Sequence, residues 1–165
     1  IEPSAILTFR DEYPDLAYDQ NFVTAKALAK NAFLIDEFIA NEISKGNIQK
    51  ETFTKNAKLI KLHGHCQQKA IASVAATQTI LSFPENYKVE VIPSGCCGMA
   101  GSFGYEKEHY DLSMQIGELV LLPAVRNQLS DTIIAAPGTS CRHQIKDGAQ
   151  KIALHPVEIL FEALV

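Results

Sequence analysis

The sequence lacks any long apolar run and carries little positive charge. Its 165 residues are 47% hydrophobic, but no apolar stretch approaches the roughly 20 residues of a membrane-spanning helix. Lysine and arginine together number 15 against 19 acidic residues, and the net charge is −4. Because binding to phosphates requires clustered positive charge, nucleic acid is not an expected partner. No transmembrane segment is expected either.

A targeting leader is also lacking. The chain opens on Ile1-Glu2-Pro3-Ser4, without an initiator methionine and without the basic and apolar segments of a signal peptide. This start indicates a fragment of a longer chain and predicts a cytoplasmic location, or one peripheral to the membrane through the parent protein. The length predicts a single domain, residues 1–165, that forms its own core. Four cysteines in a reducing compartment favour metal or redox chemistry over disulfides.

The most unusual stretch is Pro-Ser-Gly-Cys-Cys-Gly-Met-Ala-Gly-Ser-Phe-Gly at positions 93–104. It holds two of the four cysteines, Cys96 and Cys97, as neighbours among glycines, which permit positive φ angles and the close approach of a bulky inorganic group. A disulfide between adjacent residues strains the geometry that such bonds prefer. The stretch therefore predicts a ligand-binding loop. Since no Gly-Lys-Ser/Thr follows it, phosphate binding is not indicated.

Strand-like and helix-like segments alternate through most of the chain. Strands are predicted at 58–63, 87–92 and 132–136, and helices at 67–81, at about 107–122, from 141 onward and from 155 onward, with a short apolar stretch at 152–154. This alternation predicts an α/β fold whose mostly parallel sheet is flanked by helices in three layers, α/β/α. Upstream, apolar residues at three- and four-residue spacing predict one long helix from Asn21 to about Ser44. Residues 1–20 are expected to be an irregular surface segment.

Each cysteine follows a predicted strand: Cys66 the first, Cys96 and Cys97 the second, and Cys141 the third. Ligands of parallel α/β sheets bind beyond the carboxyl ends of the strands, so we expect all four thiols at that edge of the sheet. Helix N-termini lower the pKa of nearby thiols. A set of four thiolates suits a zinc ion or an iron–sulfur cluster.

Three histidines lie within three residues of a cysteine: His63, His65 and His143. They are candidate nitrogen ligands, or candidates for hydrogen bonds to the ligands. Cys66 with either nearby histidine would also be a thiol nucleophile and its base, but no third orienting group is identifiable. A separate alternative is a thiol-based catalytic domain in which Cys96 and Cys97 carry out disulfide exchange.

The motif Gly95-Cys-Cys-Gly98, with His63-x-x-Cys66 before it and Cys141 after it, resembles the cysteine-rich CCG domain. That domain occurs in heterodisulfide reductase, in the iron–sulfur subunit of glycolate oxidase and in anaerobic glycerol-3-phosphate dehydrogenase. The fuller wording, with Leu62-His-Gly-His-Cys66 and Leu154-His-Pro156, is similar to the C-terminal iron–sulfur part of large FAD-linked oxidases of the D-lactate and 2-hydroxyacid type. The resemblance covers nearly the whole chain.

The resemblance implies a function in electron transfer. In such proteins a flavin domain of the same parent chain, which holds FAD, oxidises a 2-hydroxy acid, and the cysteine-rich part relays the electrons to an acceptor that the sequence does not identify. The implied ligands of the iron–sulfur cluster, with 4Fe-4S favoured, are Cys66, Cys96, Cys97 and Cys141. No catalytic residue is implied in this part, so the isolated chain is not expected to be catalytic by itself.

One position departs from the family pattern. That pattern ends in Cys-x-x-Cys, whereas Gly138 stands in the first of these places and leaves four thiols in the chain. The departure argues against a five-cysteine, non-cubane cluster. A four-thiolate cubane and a zinc ion both stay open, and the alternative function is a structural or regulatory zinc-binding module without redox activity.

Overall fold

The computed structural model describes residues 2–18 and 20–165. Its strands are β1 Lys58–Leu62, β2 Tyr87–Val91, β3 Ile133–Ala135 and β4 Ala153–Leu154. Its helices are α1 Pro3–Thr8, α2 Glu12–Leu16, α3 Asn21–Asn31, α4 Ile35–Ser44, α5 Cys66–Ile71, α6 Ala75–Leu81, α7 Tyr110–Glu118, α8 Leu121–Arg126, α9 Thr139–Ala149 and α10 Pro156–Glu162. Among these described helices, none combines the length and the apolar character needed to cross a membrane.

The four strands form one parallel sheet in the order β2-β1-β3-β4. In the register of the sheet, Leu62 at the end of β1 pairs with Val91 of β2 and with Ala135 of β3. Ala135 in turn pairs with Leu154 of β4. The carboxyl ends of the strands therefore lie side by side at one edge, from which the cysteine-bearing segments leave. This arrangement confirms the predicted α/β fold.

The core is divided by the sheet into two apolar clusters. Successive side chains of a strand point to opposite faces, and on β3 Ile134 packs in one cluster while Ala135 packs in the other. The Ile134 cluster includes side chains of α8 and α9, and the Ala135 cluster includes side chains of α6 and α10. Helices thus cover both faces, as the three-layer prediction requires. Cys97 and Cys141 belong to the Ile134 cluster, so the candidate site is continuous with the core.

The prediction of one long helix over residues 21–44 is wrong, because the chain breaks between α3 and α4. Ala32, just after α3, has an extended backbone, and its carbonyl oxygen accepts a hydrogen bond from Arg10 Nε at 2.5 Å instead of a helical one. The N–H of Leu34 donates to Glu37 Oε2 at 2.9 Å and starts a new, capped helix. Arg10 also forms an ion pair with Glu37, so one side chain fixes both ends of the break.

Residues 1–20 are not wholly irregular, since α1 and α2 form there; positions 1 and 19 lie outside the described residues.

The predicted helix over 67–81 is interrupted between α5 and α6, where Ser73 Oγ accepts a hydrogen bond from the N–H of Ala75 at 3.1 Å. The helix predicted over 107–122 is also two helices: α7 begins at Tyr110 and ends at Glu118, and α8 follows from Leu121 to Arg126. Pro123 lacks an N–H and is therefore accommodated in the first turn of this new helix.

A buried polar chain fixes α5, the helix that begins with Cys66. Gln68 Nε2 donates to Thr77 Oγ1 at 2.9 Å, and Thr77 Oγ1 donates to the carboxylate of Asp36. Burial raises the pKa of Asp36, against the hydrogen bond from Thr77. These hydrogen bonds join α5, α6 and α4 through the interior of the protein. They restrict where the start of α5, and with it Cys66, can lie relative to the sheet.

Candidate metal centre

The four cysteines meet at the carboxyl edge of the sheet, as predicted. Cys66 is the first residue of α5, Cys141 lies in the first turn of α9, and Cys96 and Cys97 stand in the loop after β2. Their thiols form one hydrogen-bonded row in the order Cys66, Cys96, Cys97, Cys141. The row runs from the surface to the interior, because Cys66 is exposed and Cys96 half-buried, whereas Cys97 and Cys141 are only 3% and 1% exposed.

Hydrogen bonds between neighbouring thiols of the row shift their pKa values in opposite directions. The bond from Cys97 lowers the pKa of Cys141 to about 5, and nearby His63 adds to this against the effect of burial. Bonds from Cys66 and Cys97 lower the pKa of Cys96. The pKa values of Cys66 and Cys97 are raised, first by their hydrogen bonds with neighbouring thiols and then by burial. Two sulfurs of the row are thus favoured as thiolates, the form that binds metals.

His63 is the histidine that joins the row. It is 0% exposed, and its Nδ1 lies 2.7 Å from Ser94 Oγ. Its Nε2 has no oxygen or nitrogen partner among residues 2–18 and 20–165. A ring nitrogen of His63 and the sulfurs of Cys97 and Cys141 all lie within 4.8 Å of one another. Two sulfur donors and one nitrogen donor thus lie close enough together to hold one metal ion.

His65 lies beside the row, against Gly138. A Cβ atom added at position 138 would lie 2.5 Å from His65 Cδ2 and 3.1 Å from Cys141 Sγ. The imidazole of His65 therefore occupies the space that a larger residue 138 would need. Its Nε2 lies 3.9 Å from Glu2 Oε1, and Glu2 Oε2 accepts a hydrogen bond from the N–H of Thr139 at 2.8 Å. The glycine at position 138, where the family pattern has cysteine, thus leaves room for the ring of His65.

Replacement of Gly138 by alanine is expected to lower the free energy of unfolding by about 1–3 kcal/mol, because the added methyl group overlaps the ring of His65. In a His65→Ala background the same replacement is expected to cost less than about 0.5 kcal/mol. Urea unfolding of both single variants and of the double variant measures this coupling. An equal cost in both backgrounds would show that the ring does not limit position 138.

His143 is not brought to the row. Its Nδ1 is 2.6 Å from the hydroxyl of Tyr105, and this pair is exposed. Within the part of the chain that the structure describes, His143 does not belong to the group of ligand atoms that meet. Of the three candidate histidines, the structure therefore places one in the pocket, one beside it and one at the surface.

A cavity of about 240 Å³ opens over the outer part of the row. Its lining residues are Ser4, His65, Cys66, Gln67, Cys96, Cys97, Ala100, Gly101 and Ser140. Ser4, on α1, was not predicted as a site residue, although the stretch Glu2-Pro-Ser4 also resembles the family sequence. Ser94 was not predicted either, although its place immediately before the Gly-Cys-Cys-Gly loop was a signal.

The backbone of the loop gives Cys96 further hydrogen-bond donors. The N–H of Gly98 donates to Cys96 Sγ at 3.3 Å, and the N–H of Ala100 also lowers the pKa of that thiol. Gly98 has a φ of 103°, a value that residues with a side chain rarely adopt. The absence of a side chain at Gly98 therefore permits the turn that directs backbone N–H groups at Cys96 Sγ.

Comparison with known proteins shows partial relatives. The chain is similar to part of two kinds of dehydrogenase. It is 29% identical over 165 residues to D-2-hydroxyglutarate dehydrogenase of Escherichia coli (strain K12), covering 99% of the chain and 15% of that relative. The protein of the same name from Haemophilus influenzae is 27% identical over 172 residues, with 16% of its length covered. A subunit of the anaerobic glycerol-3-phosphate dehydrogenase of Escherichia coli (strain K12) is 27% identical over 168 residues, with 40% covered.

The chain thus spans well under half of the length of each of these relatives, while they align with 99% of the chain. A unit of this length therefore recurs in dehydrogenases of two different names. No protein-family model matches the chain, so the resemblance to the CCG domain stays a prediction. No solved structure matches it either.

Proposed function

We propose that this chain is the electron-transfer part of a larger oxidoreductase, a CCG-type domain whose four cysteines hold an iron–sulfur cluster. The observation that carries the proposal is the row of four thiols, Cys66 to Cys141, at the carboxyl edge of a parallel sheet. Support for an oxidoreductase parent comes from the relatives, which are named as dehydrogenases and are much longer than this chain. The parent would oxidise a 2-hydroxy acid with FAD, held outside the present chain.

The donor set fits such a centre. Thiolates are the usual ligands of iron–sulfur clusters, and two of these thiols have lowered pKa values. When bound, a cluster accepts and donates single electrons. The protein tunes it: the N–H groups of Gly98 and Ala100 favour negative charge on Cys96 Sγ, whereas the apolar surroundings of Cys97 and Cys141 disfavour added negative charge. No residue is assigned a catalytic role, so the isolated chain is proposed to relay electrons without a substrate reaction of its own.

A zinc-binding module is the second candidate, and a specific observation favours it. The sulfurs of Cys97 and Cys141 and a nitrogen of His63 lie within 4.8 Å of one another. Sulfur ligands of a single tetrahedral zinc ion lie roughly 3.8 Å apart, from a zinc–sulfur bond of roughly 2.3 Å. A mixed set of cysteine and histidine ligands is also typical of structural zinc. In this case the site would stabilise the loop after β2 and no electron would be transferred.

Metal analysis of protein purified without oxygen separates the two candidates. We expect iron and acid-labile sulfide at about four of each per chain, with a paramagnetic signal on reduction, if a 4Fe-4S cluster is bound. About one zinc ion per chain, without colour or signal, would establish the second candidate instead. Protein that retains neither metal after growth with both supplied would contradict both, and rapid alkylation of a low-pKa thiol in that protein would then favour thiol chemistry.

A further inference from the structure

One ring nitrogen of His63 has no oxygen or nitrogen partner among the described residues. The residue follows β1 directly, and its backbone N–H donates to the carbonyl of Ala135 at 2.8 Å, so its main chain is fixed in the sheet. The side chain is 0% exposed and cannot reach water. Ser94 Oγ contacts Nδ1 at 2.7 Å, but in the described ranges no oxygen or nitrogen reaches Nε2. Buried polar atoms are nearly always paired, and the neighbours left to this ring are sulfurs, since His63 also interacts with the thiol of Cys141.

The contact with Ser94 determines which nitrogen is available. Ser94 is itself held firmly, since Lys69 Nζ donates to its carbonyl oxygen at 2.6 Å and to that of Gly95 at 2.8 Å. When the serine hydroxyl accepts a hydrogen bond from Nδ1–H, the proton stays on Nδ1 and Nε2 carries a lone pair. An oxygen that orients the far nitrogen in this way is the usual support of a metal-binding histidine.

Two thiols face the histidine. A ring nitrogen of His63 lies within 4.8 Å of the sulfurs of Cys97 and Cys141, and both cysteines are buried. Two other histidines have partners, since His143 Nδ1 is engaged by Tyr105 and His155 Nδ1 accepts from the N–H of Val157. His65 Nδ1 is buried without a hydrogen-bond partner in the described residues, as His63 Nε2 is, but His65 lies outside the group of ligand atoms that meet. In the described part of the chain, the group of ligand atoms that meet consists of His63, Cys97 and Cys141.

We propose that His63, through Nε2, takes the place of one of the four thiols, the exposed Cys66, as a ligand of the metal centre, and that Ser94 is the residue that positions it. This inference rests on the proposed function, because it requires the site to hold a metal. Imidazole is a neutral ligand, so its presence makes the centre less negative than thiolates alone would. Such ligation raises the reduction potential of an iron–sulfur centre. The variant His63→Cys, which adds a thiolate, is therefore expected to lower the potential.

Cobalt binding tests the ligand directly. Co²⁺ is titrated without oxygen into the metal-free 165-residue chain, and its affinity is measured by competition with a chelator. We expect His63→Ala to weaken binding at least about 100-fold and to shift the visible absorption bands of Co²⁺. The matched control is His143→Ala, which removes an imidazole two residues from Cys141 and is expected to change the affinity less than about twofold. Ser94→Ala is expected to cost about 10-fold, and Ser94→Thr, which keeps the hydroxyl, should restore binding.

A second measurement does not depend on variants that fold poorly. Iron-reconstituted wild-type protein labelled with ¹⁵N-histidine is expected to show nitrogen hyperfine coupling in its reduced paramagnetic spectrum. The coupling should persist in His143→Ala and change in Ser94→Ala. Labelled wild-type protein that holds iron but shows no nitrogen coupling would overturn the assignment of His63, as would equal Co²⁺ affinity and equal spectra for wild type and His63→Ala. Wild-type protein that binds neither Co²⁺ nor iron would instead overturn the proposed function.

Discussion

Replacement of Cys97 by serine is expected to weaken metal binding by this chain strongly, whereas Cys66→Ser is expected to weaken it much less. Cys97 is 3% exposed and shares hydrogen bonds with Cys96 and Cys141 on its two sides. Its sulfur also belongs to the group that meets His63. Cys66 is exposed at the outer end of the row, where water or a serine hydroxyl can take its place.

The expected difference is large. Zinc at a four-ligand structural site binds with roughly 10–16 kcal/mol, so one ligand accounts for roughly 3 kcal/mol, or more than about 100-fold in affinity. We expect at least this loss for Cys97→Ser and about 10-fold for Cys66→Ser, measured by chelator competition with Zn²⁺ or Co²⁺. Ser140→Ala, which changes the cavity wall without removing a thiol, is the control. Equal losses at Cys66 and Cys97 would mean that the inner and outer thiols contribute alike, against the difference in their burial.

The convergence of the cysteines was predictable because it depends on local pattern alone. Each cysteine follows a strand, and parallel strands end at the same edge whatever the details of packing. Which of the three histidines lies next to Cys97 and Cys141 was not predictable from local pattern. His63, His65 and His143 all lie close to a cysteine in sequence, and the difference between them depends on which tertiary neighbour engages each ring: Ser94, Gly138 or Tyr105.

The break in the predicted helix over 21–44 also depends on a contact that is distant in sequence. The apolar spacing over 21–44 continues through Ala32, so periodicity indicated one helix. What ends α3 there is a hydrogen bond from Arg10, a residue 22 positions away. The site has a similar long-range component, because Glu2 reaches the N–H of Thr139 across 137 positions of sequence. Such contacts exist only once the fold has formed, and no window of local sequence contains them.

Replacement of Gly98 by alanine is expected to be the most destabilising change in the cysteine loop, with a loss of about 3 kcal/mol or more. Its φ of 103° is unfavourable for any residue with a Cβ. An added Cβ would lie 2.1 Å from the carbonyl oxygen of Ser113 and 3.0 Å from Gln144 Nε2. Gln144 Nε2 already donates to that oxygen at 3.0 Å, so neither group can move without breaking a buried hydrogen bond.

Two other glycines of the same loop are matched controls. Gly101 has a φ of 71° but open space around a Cβ, so Gly101→Ala isolates the backbone cost, about 1 kcal/mol. Gly95 has neither a positive φ nor a neighbour within 4 Å of a Cβ, and Gly95→Ala should cost less than about 0.5 kcal/mol. Urea unfolding of the metal-free chain measures all three. A cost for Gly98→Ala no greater than that of Gly101→Ala would mean that the loop does not pack against α7 as closely as the contact with Ser113 requires, and that the N–H of Gly98 is not held toward Cys96 by this packing.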